Sequence, residues 1–319
     1  MSRIHLITTC TNNKKSTDYQ SVQLRDSISP DEDIETSAAL WSEKLESALR
    51  SNRTLAARDL YKGGHWSIAK SIADEHQVEL WILSAGFGLL NQNSPVVNYQ
   101  ATFTPNSDDC IPKSGGTLPE RSSRWWSALA NHIGRTREYQ DITSLMRNNP
   151  YDFFVVSGSS HYIHAIYSDL LTGLVSLKNP SKQLMVITSA SENLGELTPY
   201  TLLSKQKMKQ RLGGTMVTLN VALARHVLLE VMGSDHSSID FSVIKQSLEK
   251  SFADLLPNPI PERTRRTEEE VKTYVADLLT HAPKISASTA LRYFRDSGNS
   301  FEEKRFRKAF QEVLSGRKS

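Results

Sequence analysis

The chain has 319 residues, 38% of them hydrophobic, which is enough to bury one large core or two smaller ones. It has no run of about 18 apolar residues, and its first ten residues, MSRIHLITTC, reach a polar loop too early for a signal peptide. We therefore expect a soluble, cytoplasmic protein. Cys10 and Cys110 have no paired spacing and no nearby His/Cys cluster. We therefore predict free thiols, without a disulfide framework, zinc site or other cofactor.

The net charge of +3 is unevenly distributed. From Glu262 onward, Lys and Arg number 13 against 9 Asp and Glu, whereas before it they number 25 against 26. A basic terminal region on a neutral body favours an anionic partner, although a solvated helical face gives the same count.

Four apolar runs that end in small polar loops predict buried parallel strands. They are IHLITTC, ELWILSAG, DFFVVSGSS and LMVITSASE. Segments between them, such as WSEKLESAL and HWSIAKSIADEH, have apolar residues at helical spacing. We therefore expect an α/β domain over residues 1–256, with a small central parallel sheet of about four strands. The carboxyl ends of parallel strands share one edge, so the four loops after them are expected to form one cleft.

The first of these loops, TTCTNNKK, contains hydroxyls, amides and two lysines. Thr11 and Asn13 are candidates to bind a base, and Asn12 is a candidate to orient a water molecule. Lys14 and Lys15 are candidates to bind a phosphate. The same composition is typical of an ordinary turn.

The second loop lies in the stretch ILSAGFGLLNQNSPVVNYQATF. Ser84 offers a hydroxyl, and Gly86 allows the backbone to approach a ligand closely. Phe87 and Tyr99 are candidate stacking faces for a base.

The loops after the third and fourth strands carry further candidates. The hydroxyls of Ser157 and Ser159 are candidates to bind a base. His161 would hydrogen-bond or protonate a leaving base, and Glu192 would lie near a sugar cation. The alternatives are a helix cap for His161 and a first-turn dipole partner for Glu192.

The segment YTLLSKQKMKQRLGGTMVTLN predicts a basic helix, a Gly-Gly break and a second helix that begins near Thr215. The amino end of a helix that follows two glycines can bind a phosphate through its backbone N–H groups. An ordinary turn between two helices would have the same sequence pattern. The candidate DNA-binding residues here are Lys205, Lys209, Arg211, Gly213, Gly214 and Thr215.

Closely spaced prolines and arginines predict a linker over residues 257–266. Residues 267–319 then predict a small basic unit of three helices, with Ser288 as a cap and Gly298 as a stop. The three helices are predicted over 268–280, 288–296 and 301–314. This arrangement resembles a helix-turn-helix module, and a small protein-interaction bundle would look much the same. Its candidate DNA-binding residues are Arg292, Arg295 and Arg305.

Several motifs between Ile4 and Leu229 resemble those of the peroxide-stress YaaA-type proteins and of an uncharacterised family related to them. They are the SAGFGLL stretch followed by Tyr99, the segment ARDLYKGGHWSIAKSIA, the Cys-x-x-x-Lys spacing from Cys10 to Lys14, and LGGTMVTLN. The predicted sheet, with functional loops after its first and last strands, also resembles the uracil-DNA glycosylase superfamily and anti-phage DNA glycosylases that remove glucosylated hydroxymethylcytosine. The resemblance implies that Asn12 positions water, and we add Asp59 to the catalytic candidates.

We therefore predict a DNA N-glycosylase that excises a modified base from invading phage DNA by water attack at the sugar and leaves an abasic site. No lysine is marked out as a Schiff-base former, which predicts a monofunctional enzyme. The alternatives are a non-catalytic DNA-binding stress or defence protein, an enzyme acting on tRNA or free nucleotides by base exchange or hydrolysis, and an α/β domain whose loops are simply turns. DNA is the expected partner, without a membrane or an obligate protein partner.

Overall fold

A computed structural model describes residues 2–29, 31–189, 194–232, 239–257 and 262–316. The chain divides into two compact units, Met1–Leu256 (unit 1) and Pro257–Ser319 (unit 2).

A six-stranded, mostly parallel sheet forms the centre of unit 1. In chain order the strands of this unit are β1 Ile4–Thr9, β2 Val22–Gln23, β3 Leu55–Ala56, β4 Glu79–Ser84, β5 Gly88–Asn91, β6 Pro95–Val96, β7 Tyr99–Gln100, β8 Phe153–Ser157, β9 Leu184–Thr188 and β10 Thr201–Leu203. The sheet has the order β10-β9-β8-β1-β4-β5, and only β5 runs antiparallel to its neighbour. The predicted α/β class is confirmed, with the four predicted strands at the centre and two unpredicted strands, β5 and β10, at the edges.

Helices flank this sheet. In chain order they are α1 Ile34–Ser51, α2 Ala57–Leu60, α3 Gly64–His76, α4 Leu118–Asn131, α5 Ile142–Asn148, α6 Ser160–Ala165, α7 Tyr167–Leu174, α8 Pro180–Gln183, α9 Lys209–Leu212, α10 Leu219–Met232 and α11 Phe241–Ala253. α3 packs against α10, and α4 packs against α1 and α6. All residues of β1, β8 and β9 are buried, which explains why these strands read as continuous apolar runs.

The amino end of the sheet is closed by paired polar groups. His5 is buried in β1, and its Nε2 lies 3.0 Å from a carboxylate oxygen of Asp152. Trp81 Nε1 donates to His5 Nδ1 at 3.1 Å, and Arg3 forms an ion pair with Asp152. Because these groups satisfy one another, this end of the sheet is structural.

Unit 2 contains three helices and a short pair of parallel strands. They are β11 Thr264–Arg265, α12 Glu268–His281, α13 Ala287–Asp296, β12 Asn299–Ser300 and α14 Glu303–Gly316. The helices bury a core of their own that includes Val275, Phe294 and Phe306.

Two boundaries in unit 2 differ from the sequence-based expectation. Ser286 caps α13 by accepting a hydrogen bond from the Thr289 N–H, so the cap is not Ser288. Thr264 and Arg265 belong to β11 because they pair with Asn299 and Ser300, so this part of the predicted linker is a strand.

Among the described residues, no single helix has both the length and the apolar composition of a membrane span. The segments Gln206–Leu212 and Met216–Met232 have that length and composition only when they are taken together, and they are bent by 82° relative to each other.

Gly86 lies so close to the Tyr99 ring that a side chain there is expected to destabilise unit 1. A Cβ on Gly86 would lie 2.4 Å from Tyr99 Cε2, and the ring is fully buried. We expect Gly86→Ala to lower the free energy of unfolding by about 1–3 kcal/mol, as overpacking does. Urea unfolding followed by tryptophan fluorescence measures this, since all five tryptophans lie in unit 1.

The matched control is Gly64→Ala, whose Cβ would approach the Thr218 side chain only to 3.3 Å. An equal loss of stability in the two variants would contradict the close packing of Gly86 on Tyr99.

Candidate hydroxyl and amine site at the carboxyl edge

Short contacts join the loops that leave the carboxyl ends of neighbouring strands. Thr8 Oγ1 in β1 donates to the carbonyl oxygen of Ser157 in β8 at 3.2 Å. The N–H of Cys10 donates to the carbonyl oxygen of Leu83 in β4 at 2.9 Å. The loops after β1, β4 and β8 therefore leave the sheet side by side. The fourth loop carries Glu192, which lies outside the described residues.

Three hydroxyl groups form a chain that we call the hydroxyl relay: Ser84, Tyr99 and Tyr61. Tyr99 Oη lies 2.6 Å from Ser84 Oγ and 2.8 Å from Tyr61 Oη. Ser84 Oγ also accepts the backbone N–H groups of Gly86 at 3.2 Å and Phe87 at 2.9 Å. A hydroxyl oxygen has two lone pairs, so Ser84 must donate its hydrogen to Tyr99, whereas either oxygen of the Tyr99–Tyr61 pair can be the donor. The relay thus ends at the Tyr61 hydroxyl, which also has Ser84 as a hydrogen-bond neighbour.

The relay tyrosines stay protonated. Burial raises the pKa of Tyr61 and of Tyr99, and the nearby Cys10 thiol adds to this effect. Both phenols are therefore hydrogen-bond donors over the whole physiological pH range.

Lys14 lies against the relay with its amine over aromatic rings. Its Nζ is 4.5 Å from the centroid of Tyr99 and 5.9 Å from that of Tyr61. Burial lowers the pKa of Lys14, and the charges of Cys10 and Asp109 oppose this shift. Within the described part of the chain, Lys14 has no ion pair.

The loop after β1 is fixed to the segment that follows α2. Lys14 and Tyr61 form an isolated antiparallel bridge, and the Lys62 N–H donates to the carbonyl oxygen of Asn13 at 2.9 Å. Thr11 Oγ1 donates to the carbonyl oxygens of Asn13 and Lys62, each at 2.9 Å. These bonds bring Lys14 to the relay.

Tyr162 of α6 connects the loop after β8 to the same cluster. Its hydroxyl lies 3.1 Å from Cys10 Sγ, and both side chains are buried. Burial raises the pKa of Tyr162, as does the Cys10 thiol. Tyr61 and Tyr162 were missed by sequence reasoning, although Tyr61 lies within the quoted ARDLYKGG segment and Tyr162 directly follows His161.

The loop after β4 is shaped by the protein itself. It is a three-residue hairpin connection in which Gly88 has φ +71°, a common geometry for such turns. The carbonyl oxygen of Ala85 accepts a hydrogen bond from Trp125 Nε1, and that of Gly86 accepts one from Trp41 Nε1. Arg137 donates to the carbonyl oxygens of Phe87 and Leu89. The close approach that Gly86 permits is therefore to Tyr99, not to an external ligand.

Phe87 and Tyr99, the predicted stacking residues, are core residues. Both are 0% exposed, and their rings meet edge to face with centroids 5.0 Å apart. Neither ring offers a face to a base in this conformation.

The accessible candidates lie at the rim of the cluster. Asn12, Asn13 and Lys15 are exposed on the loop after β1. Ser159 is exposed at the amino cap of α6, and His161 is half-buried in its first turn. The side chains of Asn12 and His161 have no hydrogen-bond partner among the described residues.

Two candidates lie differently from the expectation. The Asp59 carboxylate is exposed on α2 and forms an ion pair with Lys70 at 3.7 Å. Asp59 makes none of the contacts described for the hydroxyl relay. Ser157 Oγ is fully buried without a hydrogen-bond partner in the described structure.

The Gly-Gly break is a turn of positive φ angles, +68° at Gly213 and +74° at Gly214. It is followed by a 3-10 turn, Met216–Thr218, before α10 begins. The Thr215 N–H, predicted to face a phosphate, donates to Thr218 Oγ1 at 2.9 Å. This part of the predicted anion site is therefore already satisfied.

The neighbouring basic residues are only partly free. Arg211 donates to the carbonyl oxygen of Ser251 at 2.6 Å, whereas Lys205 is exposed and Lys209 is half-buried. Lys205 borders a cleft of about 570 Å³ beside β10 and α11, which none of the relay residues lines.

The predicted DNA-binding arginines of unit 2 have different surroundings. Arg305 forms an ion pair with Glu268 at 3.1 Å. Arg295 is half-buried, and Arg292 is exposed with its guanidinium over the Tyr293 ring at 5.5 Å. Of the three, Arg292 is the most available to an anionic partner.

No protein-family model matches the chain, and no curated protein matches it significantly. The resemblances drawn from its motifs therefore stay predictions. Cys10 and Cys110 are both free, and no group of three His, Cys, Asp or Glu side chains in the described ranges could hold a metal ion.

His65 of α3 connects this edge to the Gly-Gly turn. Its Nε2 lies 3.0 Å from Thr8 Oγ1. Burial lowers the pKa of His65 to about 4. Hydrogen bonds to the backbone of Val217 and Thr9 raise the pKa, but the effect of burial is larger. His65 is therefore neutral at physiological pH.

The lowered pKa of His65 predicts that unit 1 loses stability in mild acid. The unfolded chain takes up this proton near pH 6.5 and the folded chain only near pH 4, so the contribution is intact above pH 6.5 and is lost between these values. We expect the free energy of unfolding to fall by about 2 kcal/mol more in the wild type than in His65→Gln between pH 7 and pH 5. Urea unfolding followed by tryptophan fluorescence measures it, and equal losses would contradict a buried neutral imidazole.

Proposed function

We propose that unit 1 is a DNA N-glycosylase that excises a modified base and leaves an abasic site. The observation that carries this proposal is the end of the hydroxyl relay, where the Tyr61 phenol stays protonated and its ring centroid lies 5.9 Å from the Lys14 amine. In N-glycosidic cleavage the base leaves with negative charge, and little covalent chemistry is required of the protein. Donors held in place before the reaction stabilise that charge as it forms.

Asn12 is the proposed water-positioning residue. Its amide lies between Cys10 and Lys14 in sequence, is exposed, and has no partner among the described residues. An amide can both accept from and donate to a water, and would hold it against the sugar on the face opposite the leaving base. His161, in the first turn of α6, would hydrogen-bond the base.

Entry of a nucleotide requires a local movement. Since Phe87 and Tyr99 are buried, the base would be held by rim groups such as Asn13 and Ser159. Reaching Tyr61 would require the loop after β1 to lift from the segment at Lys62, which breaks the bond from the Lys62 N–H to Asn13.

The proposed DNA interface includes an exposed apolar tip. Met216 and Val217 are 49% and 79% exposed, directly after the Gly-Gly turn. Apolar side chains in such positions can enter between base steps and unstack them, which helps to extrude a nucleotide. In unit 2, Arg292 and Lys304 are exposed cations without ion pairs among the described residues, and would add affinity that does not depend on sequence.

Glucosylated hydroxymethylcytosine of phage DNA is the proposed substrate, because of the motif resemblance. The second candidate function is non-catalytic DNA binding in stress or defence. The observation that favours it is the complete burial of Phe87, Tyr99, Ser84 and Ser157, which leaves the centre of the cluster packed.

The direct test is incubation of the full chain with phage DNA containing glucosylated hydroxymethylcytosine and with unmodified DNA. We expect released modified base by mass spectrometry, with abasic sites in equal amount. Asn12→Ala and Tyr61→Phe should each lower the rate about 100-fold or more, as loss of one preorganised group does, while DNA affinity changes only a few-fold.

Tyr151→Phe is the matched control, because this tyrosine is exposed and lies outside the relay. Salt-dependent DNA binding without base release on either substrate would overturn the glycosylase proposal and favour the non-catalytic function. Unchanged rates in both variants would move the chemistry away from the relay.

A further inference from the structure

Lys14 has no carboxylate partner among the described residues, and unlike the exposed lysines of unit 1 it is half-buried against aromatic rings. Lys70, Lys182 and Lys245 each pair with an Asp or Glu. Lys15, the next residue, is exposed. The Lys14 amine instead lies over the Tyr99 ring, 4.5 Å from its centroid, at the end of the hydroxyl relay.

Burial lowers the pKa of this amine, so its neutral, reactive form is more accessible than that of an exposed lysine. An aromatic face attracts an ammonium group less strongly than a carboxylate does, and burial removes the water that stabilises the charge. A neutral lysine amine is a nucleophile toward carbonyl carbon. Lys14 is only half-buried, so a reactant can still reach it once the loop shifts.

We propose that Lys14 is an imine-forming nucleophile that captures the aldehyde form of an abasic deoxyribose and gives the chain DNA lyase activity. This inference rests on the proposed glycosylase function, whose product is that sugar. The Tyr61 phenol stays protonated, its ring centroid lies 5.9 Å from the amine nitrogen, and its hydroxyl would donate to the aldehyde oxygen during attack.

The reaction balances without a further reagent. The lone pair of Lys14 Nζ attacks C1′ of the ring-opened sugar, and water leaves to give a protonated imine. The C2′ proton passes to solvent, the C3′–O bond breaks, and the 3′ phosphate leaves as the 5′ phosphate of the downstream fragment. Water then hydrolyses the imine, which releases an unsaturated aldehyde on the upstream fragment and regenerates the amine.

The expectation of a monofunctional enzyme is thereby revised. The letters Asn-Asn-Lys-Lys do not distinguish Lys14 from Lys15, because nothing in the sequence marks which of the two side chains is buried. The bridge between Lys14 and Tyr61 makes that distinction.

The test uses the full chain and a duplex oligonucleotide with one preformed abasic site, in the presence of sodium cyanoborohydride, which reduces an imine to a stable amine. We expect a covalent protein–DNA complex on a denaturing gel and a modified peptide that maps to Lys14. Lys14→Arg keeps a long basic side chain at this position but cannot form the imine, so trapping should fall to background. Lys62→Arg, at an exposed lysine next to Tyr61 in sequence, is the matched control and should trap as the wild type does.

Three results would overturn the inference: no trapping by the wild type, equal trapping by Lys14→Arg, or an adduct that maps to another amine. Peptide mapping is done on the wild type, so this test holds even if Lys14→Arg misfolds. Because the abasic site is supplied, trapping does not depend on base excision. Base release without trapping would support the glycosylase function and contradict the lyase activity. Trapping at Lys14 without base release would support the lyase activity and contradict the glycosylase function.

Discussion

The buried hydroxyl of Tyr99 is the interaction on which the carboxyl edge depends. It lies between Ser84 and Tyr61, and the two backbone N–H groups that Ser84 accepts leave the hydrogen of Ser84 to be donated to Tyr99. The Tyr99 ring also explains why residue 86 is glycine and gives Lys14 its aromatic surface. Removing this one hydroxyl would take a hydrogen-bond partner from both Ser84 and Tyr61, the two ends of the relay. The loss of a partner is costly for buried polar groups.

The two ends of the sheet differ in how their polar groups are satisfied. At the amino end, His5, Asp152 and Trp81 bond one another. At the carboxyl end, Lys14 has no carboxylate partner in the described structure, and Ser157 Oγ has no hydrogen-bond partner there. Ligands of open α/β sheets bind at the carboxyl ends of the strands, where groups without partners can complete their bonds with a ligand. This contrast favours a functional carboxyl edge, even though its centre is packed.

The fold was predictable where burial leaves a pattern in the sequence. Strands covered on both faces are continuously apolar, so β1, β4, β8 and β9 were found, as were the three helices of unit 2. The edge strand β5 was predicted to be part of a ligand-binding loop. A hairpin sequence rich in Gly and Phe is the same whether the hairpin packs against a ligand or against a tyrosine of the same chain. The loop residues were identified as a group, but their roles were not separable, since the burial of Phe87 and Lys14 depends on contacts with residues distant in sequence. Tyr61 and Tyr162 were missed because a tyrosine gives no sign of its hydroxyl partners.

The central claim is that a nucleotide is processed where the loops after β1, β4 and β8 meet, at the end of the hydroxyl relay. The most direct measurement is a crystal structure of the full chain bound to DNA that carries the modified cytosine on a 2′-fluorinated sugar, which resists cleavage. We expect an extruded nucleotide with its base in hydrogen-bond contact with the Tyr61 hydroxyl and its C1′ next to Lys14. DNA held only by unit 2, or a nucleotide seated in the cleft beside β10 with the relay still closed, would contradict it.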